Sequence, residues 1–597
     1  MCGIAGALAP RGDAMPEVLR MHAAVAHRGP DGEGVERVGD AILAQRRLAI
    51  IDLSDNAAQP MWDANRQVCL VYNGEIYNYR ALREECLARG AIFTSTSDTE
   101  VILQLYLLDG EAAFARLNGM FAFALVDTRS GESYLVRDVM GIKPLYWRPD
   151  GVLFASELSA FRGEVDREAL QAYSQLDFVP SPLSMIRGVR KLPGGHLVHV
   201  SRDGVPTVRR YREEASGAPS ADFDATIRDV VARQLIADVP VGVFLSGGID
   251  SSIVARVATD LVGRVSTFSI AFDDPSFDET PYFETVAKAI GSDHHTERIT
   301  EQTMESLLPD VPRVVGEPLA DGSIFPTYFL ARFARKHVQV ALSGDGADEL
   351  FGGYPTHRVS RWGRRIVPFR RPLLALARRL PVSHDNLSFD YRLKKLLEGA
   401  HRDPIVQNER WLGTFMAEEL PSLLTGYDAA AQARFIDALH EPSRDATSEL
   451  DAILRTDRRF YLQDGVLVKV DRATMASALE VRVPMLDDEI VRYARSLPDG
   501  EKLDKRHLRR WASAHFPPSI WKRKKKGFGA PLARWFRGPL RTFVRDALAP
   551  DALRRDGFYQ PATIEALLDA HESGRSDERK RIFNVLMFTL WYRSLRA

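Results

Sequence analysis

Leu245-Ser246-Gly247-Gly248-Ile249-Asp250-Ser251-Ser252 is the stretch on which the fold turns. Before it runs Val239-Pro240-Val241-Gly242-Val243-Phe244, short and apolar as a buried strand would be, and after it Ile253-Val254-Ala255-Arg256-Val257 reads as a helix. Strand, glycine turn and helix together make a phosphate cradle. Paired glycines let backbone N–H groups approach an anion, and the uncapped N–H groups of the helix point at the same place. Asp250 sets a carboxylate beside that anion, an arrangement that makes sense mainly with a bridging Mg²⁺. No Gly-Lys-Ser/Thr follows the glycines, so the loop is not of the Walker A kind. A plainer reading of the same residues is a serine-rich turn that caps a helix.

The chain has 597 residues, beyond the usual reach of one hydrophobic core, so two or three domains are expected. Lys and Arg number 79 against 80 Asp and Glu, and the formal charge of −1 gives no electrostatic footing for nucleic acid or an anionic membrane. Three cysteines, Cys2, Cys69 and Cys86, lack any C-x-x-C pairing, which points to a reducing compartment, the cytoplasm, and to no structural zinc. Neither a signal peptide nor a spanning helix is expected, because the sequence has no basic leader and no run of about 18 apolar residues.

Cys2 directly follows the initiator methionine. With that methionine removed, its α-amino group lies close to its own thiol, a nucleophile with a built-in base that titrates near pH 8. A small buried cysteine in a first strand is the bland alternative. After Cys2 come His27-Arg28-Gly29-Pro30-Asp31-Gly32, Arg46-Arg47-Leu48-Ala49-Ile50-Ile51-Asp52, Tyr72-Asn73-Gly74-Glu75-Ile76-Tyr77-Asn78 and Ser97-Asp98-Thr99-Glu100. In this order they resemble the class II glutamine amidotransferases, which use an N-terminal cysteine nucleophile. The resemblance implies that Arg47 pairs with the α-carboxylate of glutamine, that Glu75 and Asp98 hold its α-ammonium, and that the Asn73 amide and the Gly74 N–H form the oxyanion hole. The dull alternatives are a hairpin turn at Asn73-Gly74 and solvated charges at Arg47 and Asp98. Gln45 stands where the family often has histidine, Ala49 where it has serine and Met140 where it has phenylalanine, none of them positions expected to carry the chemistry.

Short apolar runs at Val68 to Tyr72, Met120 to Asp127, Ser133 to Arg137, Val152 to Ser156 and His196 to Ser201 alternate with turns, and helical patterns cover Tyr79 to Arg89 and Thr99 to Asp109. Layered sheets covered by helices are expected, and the resemblance implies the αββα sandwich of N-terminal-nucleophile hydrolases over residues 2–210. Glu213 to Ser220 is small, polar and aperiodic, so residues 211–222 are read as a linker. From Phe223 to residue 597 strands alternate with helices, as in a parallel α/β sheet that binds its ligand at the strand C-terminal ends.

A second such end follows Val338-Gln339-Val340-Ala341-Leu342. The loop from Ser343 to Tyr354 packs three acids and four glycines into twelve residues, as suits Mg²⁺ and phosphate, and lacks the alternating ligands of a calcium loop. Ser-Gly-Gly-x-Asp-Ser-Ser resembles the pyrophosphate loop of enzymes that split ATP into AMP and pyrophosphate. With the Ser343 loop and the amino-terminal motifs, nearly the whole chain resembles the glutamine-hydrolysing asparagine synthetase family. The resemblance implies that Leu245, Ser246, Gly247, Gly248, Asp250, Ser251, Ser252, Ile270, Ser343 and Gly344 bind ATP. It likewise gives Asp250 and Asp348 to Mg²⁺, Asp345 to accepting a proton as ammonia attacks the acyl-adenylate, and Lys525 to neutralising pyrophosphate. Read from charge alone, the run Lys522 to Lys526 would suit a localisation signal or nucleic acid; the neighbours of Lys525 are expected to be solvated. The segments Lys469 to Met475 and Glu480 to Asp487 are expected to floor the pocket.

Taken together, these motifs describe a two-site enzyme. Cys2 frees ammonia from glutamine, ATP activates a carboxylate, and ammonia displaces AMP through an apolar conduit whose lining the sequence does not name. Aspartate is the default acceptor. Leu319, Gly322 and Leu462-Gln463-Asp464-Gly465 depart from the commoner family residues, which leaves room for a sugar acid, a dipeptide or a natural-product acid. A catalytically silent sensor or storage protein is the rival of another class, and the joint presence of Cys2, Asp250, Asp345, Asp348 and Lys525 argues against it. A homodimer is usual in the family. The arginine-rich stretch Arg358 to Arg410 reads as ordinary amphipathic helices, with a membrane-surface or partner-binding helix left open.

Overall fold

The computed structural model describes residues 2–219, 221–380, 388–523 and 529–596. Twelve strands build the amino-terminal half: β1 (Gly3–Ala7), β2 (Gly32–Val38), β3 (Ala41–Arg47), β4 (Met61–Trp62), β5 (Val68–Ile76), β6 (Gly119–Asp127), β7 (Glu132–Arg137), β8 (Tyr146–Arg148), β9 (Leu153–Ala155), β10 (Arg190–Lys191), β11 (His196–Val200) and β12 (Pro206–Arg210). They form two six-stranded sheets, ordered β10-β8-β9-β1-β3-β2 and β12-β11-β7-β6-β5-β4.

The period of two in these strands sorts the layers. Cys69 and Val71 of β5 join Ala122, Ala124 and Val126 of β6 and Ile4 and Leu43 of the other sheet in one core between the sheets. Their alternates Leu70, Tyr72, Phe121, Phe123 and Leu125 share the outer core with Val101, Ile102 and Leu105 of the helix Asp98–Asp109. On the far side, Val18 of the helix Met15–Ala24 packs with Ala7, Ile42 and Ala44. The result is the expected sandwich of helix, sheet, sheet and helix.

Beyond the helix Phe223–Gln234, five parallel strands follow: β13 (Val241–Phe244), β14 (Ser266–Phe272), β15 (Asp293–Ile299), β16 (Val340–Leu342) and β17 (Glu480–Arg482), in the order β15-β14-β13-β16-β17. The chain winds outward from β13 to β15 and returns to the opposite side of β13 at β16. That reversal opens a crevice beyond the C-terminal ends of β13 and β16, where the Leu245 and Ser343 loops begin.

The segment read as a linker is pinned to both halves. The Tyr211 hydroxyl donates to Arg137 O at 3.1 Å, Arg212 Nη1 to Leu117 O at 2.7 Å, and the Glu214 carboxylate receives Arg458 at 3.0 Å. It is not a free tether, because its aperiodic composition conceals specific anchors, among them Arg495 on Glu214 and Arg492 on Ser216 O.

Candidate functional site

Strand β1 brings Cys2 into the interior, where 7 % of it is exposed. Its backbone N–H donates to Asn73 Oδ1 at 2.9 Å. That contact fixes the Asn73 amide, whose Nδ2 is buried with no hydrogen-bond partner among the described residues. An orphaned donor beside a thiol is costly unless an oxygen arrives to accept from it. Asn73 and Gly74 lie inside β5, paired with Ala122 and Phe121, so the hairpin-turn alternative falls away. A Cβ on Gly74 would stand 2.2 Å from Met120 O, which is why this strand position takes glycine.

Glu75 and Asp98 are both buried. Asp98 accepts from the Tyr72 hydroxyl at 2.7 Å and from Ile76 N at 3.0 Å, and Glu75 Oε2 lies 3.2 Å from an Arg482 nitrogen. Burial raises both carboxyls, opposed at Glu75 chiefly by Arg482 and at Asp98 by Tyr72. Burial likewise pushes the Cys2 thiol up, against the positive charge of the amino terminus. Arg47 holds its guanidinium on the carbonyls of Asp52 and Ser54, and its charge also works to lower the Cys2 thiol. Cys2, Asn73, Glu75 and Arg47 therefore converge, with Asp98 one strand residue beyond Glu75 through its bond to Ile76.

The second half of the chain reaches directly into this centre. Arg28, fully buried, donates to Cys2 O at 3.2 Å and pairs with Glu157 at 2.7 Å and Asp471 at 2.8 Å. Arg472 joins the same Glu157 oxygen at 2.7 Å. On β17, Arg482 pairs with Glu480 at 2.7 Å as well as with Glu75. Burial alone would raise the Glu480 carboxyl, but the amino-terminal charge and Arg482 outweigh it and hold it well below the usual carboxylate range. The Arg482 carbonyl accepts from Ser343 N at 2.9 Å. One residue thus touches Glu75 in the first centre and the loop that builds the second. The segments Lys469 to Met475 and Glu480 to Asp487 were expected to floor the nucleotide pocket. Only Lys469 and Val470 of them line it, because β17 is an edge strand whose charged side chains turn toward the amino-terminal half.

The second centre is a cavity of about 380 Å³ at the sheet reversal. Of the expected ATP residues, Leu245, Ser246, Gly248, Asp250, Ser251, Ile270, Ser343 and Gly344 line it. Gly247 and Ser252 do not. Gly247 has φ +69° and backs onto Tyr282 and Phe283, where a Cβ would clash at 2.6 Å, and the buried Ser252 hydroxyl is spent on Gly248 O at 2.6 Å. Gly344 lets the two loops touch, since its Cβ would meet Ser251 N at 2.6 Å. Asp345 also faces the cavity and accepts from the Ser343 hydroxyl.

Lys505, unmarked in sequence, stands between the two acids expected to hold a metal, with Nζ 2.5 Å from Asp250 and 2.7 Å from Asp348. Burial would depress this ammonium, yet the two carboxylates outweigh it and raise its pKa. It sits in the left-handed region, φ +55°, on the backbone of Phe351, a placement no local pattern announces. Arg523 was expected to be solvated. Instead it pairs with Glu279, stacks 3.9 Å over Tyr282 and lines the cavity, because the helix Thr280–Ile290 and its entry supply both partners. Lys525 lies outside the described residues. Leu319, Gly322, Gln463 and Gly465 do not line the cavity; Gln463 Oε1 accepts from Gly194 N at 2.9 Å between the two halves. The rest of the lining includes Asp321, Ser323, Tyr354, Tyr461 and Lys469, where Lys469 lies 3.5 Å from Asp321.

Comparison with known proteins gives a family to each half of the chain. Residues 1–212 match the glutamine amidotransferase domain family and residues 222–593 the asparagine synthase family. Asparagine synthetase (glutamine-hydrolyzing) 1 of Bacillus subtilis (strain 168) is 33 % identical over 621 residues, spanning 99 % of this chain and 96 % of that protein. Asparagine synthetase (glutamine-hydrolyzing) 3 of the same organism is 29 % identical over 569 residues, spanning 88 % and 87 %. Among solved structures, a glutamine phosphoribosylpyrophosphate amidotransferase from B. subtilis matches at TM-score 0.29 and 17 % identity, covering 50 % of this chain and 81 % of that one. The chain belongs to the glutamine-hydrolysing asparagine synthetase family, ligases that pair a glutamine amidotransferase domain with an asparagine synthase domain.

Proposed function

We propose that this enzyme makes L-asparagine from L-aspartate, with glutamine as nitrogen donor and ATP cleaved to AMP and pyrophosphate. The observation that carries the reading is Arg482, in contact with Glu75 of one centre and with the Ser343 loop of the other. In this reading residues 2–210 hydrolyse glutamine, residues 211–222 join the halves and residues 223–597 activate the acceptor.

Cys2 attacks the glutamine amide, its proton passing to the α-amine freed when Met1 is removed. Asn73 Nδ2 and the Gly74 N–H receive the charge that develops on the amide oxygen. Arg47 takes the substrate carboxylate, and Glu75 and Asp98 its ammonium, which lowers both raised carboxyl pKa values as it binds. At the other centre ATP lies on the Leu245 to Ser252 loop against Ile270, Ser343 and Gly344. Asp250 and Asp348 both reach the Lys505 ammonium and offer hard oxygen donors, a pair that would hold Mg²⁺ once Lys505 moves to the phosphates. Bound there, Mg²⁺ would neutralise the phosphate charge. Lys505 and Lys525 add cationic charge around the pyrophosphate, and Asp345 accepts a proton as ammonia attacks. Leu117, Met140 and Ile142 of the first half and Val483 and Leu486 of the second line one small void and give the interface between the halves an apolar part, which suits uncharged ammonia. Three buried free cysteines suit a reducing, cytoplasmic setting, and assembly as a homodimer is in keeping with the family resemblance.

The test is pyrophosphate release from the purified chain with ATP, Mg²⁺ and glutamine, aspartate in one reaction and other carboxylic acids in parallel ones. Release with aspartate together with asparagine is expected. Release only with another acid would retain the mechanism and replace the acceptor; release with none would remove the synthetase assignment.

A further inference from the structure

The arginine-rich segment, read in sequence as ordinary amphipathic helices, does not bury its apolar stripe. The helix Pro355–Ile366, a short 3-10 turn at Val367–Phe369 and the helix Arg370–Ala377 succeed one another with little break. Trp362, Phe369, Leu373 and Leu376 are 57, 61, 42 and 63 % exposed. Their spacing of seven, four and three residues keeps them within about 60° of one another on a helix of 3.6 residues per turn. The core is served by the opposite side. There Gln407 Nε2 donates to Ser360 O at 3.0 Å and His357 pairs with Asp457 at 2.7 Å. The outward face is therefore preformed and held from behind.

Residues 355–380 carry eight arginines and no aspartate or glutamate, in a chain whose net charge is only −1. Arg358, 62 % exposed, and Arg365, 5.3 Å over the Trp362 ring, lie on the side of the stripe, while Arg364 and Arg378, also more than half exposed, project from the other sides of the same helices. Their acidic neighbours come from other elements: Asp504 at 4.0 Å from Arg358, Glu398 at 3.9 Å from Arg378, and Glu449 paired with Arg364. Such pairs at the surface hold little energy and leave the guanidinium groups available. An isologous contact with a second copy would set this cationic face against itself.

We propose that this face is a peripheral docking surface for an anionic phospholipid bilayer. Trp362, Phe369, Leu373 and Leu376 enter the boundary between headgroups and acyl chains, while the flanking arginines lie at phosphate level. No described helix is long and apolar enough to cross a membrane, so the contact lies along the surface.

Flotation of the full-length chain with vesicles of phosphatidylglycerol and phosphatidylcholine in equal parts, and with phosphatidylcholine alone, tests this. The wild type is expected to float with the anionic vesicles only, and to be released as salt is raised several-fold above physiological strength. The triple variant Trp362→Ser, Phe369→Ser, Leu376→Ser is expected to partition about tenfold more weakly for each side chain withdrawn. Arg358→Gln with Arg365→Gln and Arg379→Gln should weaken it further, while glutamine hydrolysis at the distant Cys2 confirms folding in each variant. A wild type that stays with the aqueous phase overturns the proposal, as does a triple variant that floats like the wild type. Concentration-dependent self-association in sedimentation velocity, lost in the triple variant, would overturn it in favour of a second copy.

Discussion

The two centres of this chain solve the problem of empty, charged sites in opposite ways. Around Cys2 the polar groups are locked by fixed donors: Asn73 by the Cys2 N–H, Asp98 by Tyr72 and Ile76, and Glu75 by Arg482. At the β13–β16 crevice the charges lean on one another across an open cavity: Lys505 on Asp250 and Asp348, Arg523 on Glu279, Lys469 on Asp321. A site that takes one small amide can be built in advance with an orphaned donor, Asn73 Nδ2, awaiting its oxygen. A site that must admit a nucleotide and an acid keeps its cations satisfied by its own carboxylates, which are then free to exchange partners when phosphate arrives.

The sharpest way to break that contrast is Cys2→Ala. Glutamine-dependent amide formation should fall by about 10³-fold or more, while pyrophosphate release supported by ammonium ions persists; loss of both would mean that the centres are not separable. Next come two mirrored substitutions. Asn73→Ala should lower kcat for glutamine hydrolysis by about 10²–10³ with KM little changed, and leave ammonium-supported pyrophosphate release intact. Lys505→Ala should lower pyrophosphate release by about 10² and spare glutamine hydrolysis. Equal damage to both reactions by either variant would erase the distinction.

The smallest effect concerns the wall behind the open cavity. Glu409 lines an inner void together with Phe178 and Tyr461, and Tyr461 also lines the cavity itself. Burial raises the Glu409 carboxyl from 4.5 to about 7. Between those values the native state keeps a proton that the unfolded chain has released, so stability falls as pH rises through the window, by at most about 3 kcal/mol. Glu409→Gln should flatten the decline of Tm between about pH 4.5 and 7. An unchanged slope would show that this wall is wet.

Much of the first centre is legible in the sequence because its motifs are local. Tyr72 to Asn78 is one strand with its helix entry, and period two fixes which of its side chains face the core. The strand-turn-helix at Leu245 is equally plain. Lys505 and Arg523 are not, because each acts through a partner some 250 residues earlier, and neither a left-handed backbone at Lys505 nor a stacked Tyr282 leaves a periodic mark. Glu480 and Arg482 stand out as a motif, but their strand and its edge position depend on pairing with β16, so the motif alone points to the wrong surface. Leu319, Gly322, Gln463 and Gly465 depart from the family pattern, yet none of the four lines the cavity, although Gly322 stands between Asp321 and Ser323, which do.

The most direct test of two centres joined through a closed interior is isotopic. Glutamine labelled with ¹⁵N in its side-chain amide is supplied with Mg²⁺, ATP, the carboxylate that supports pyrophosphate release and an excess of unlabelled ammonium, and the label in the product amide is measured. Product that keeps most of the ¹⁵N means that ammonia passes between the centres without mixing with solvent, as the buried contact of Arg28 and Arg482 with the first centre predicts. Label diluted to the level of the bulk ammonium would contradict it.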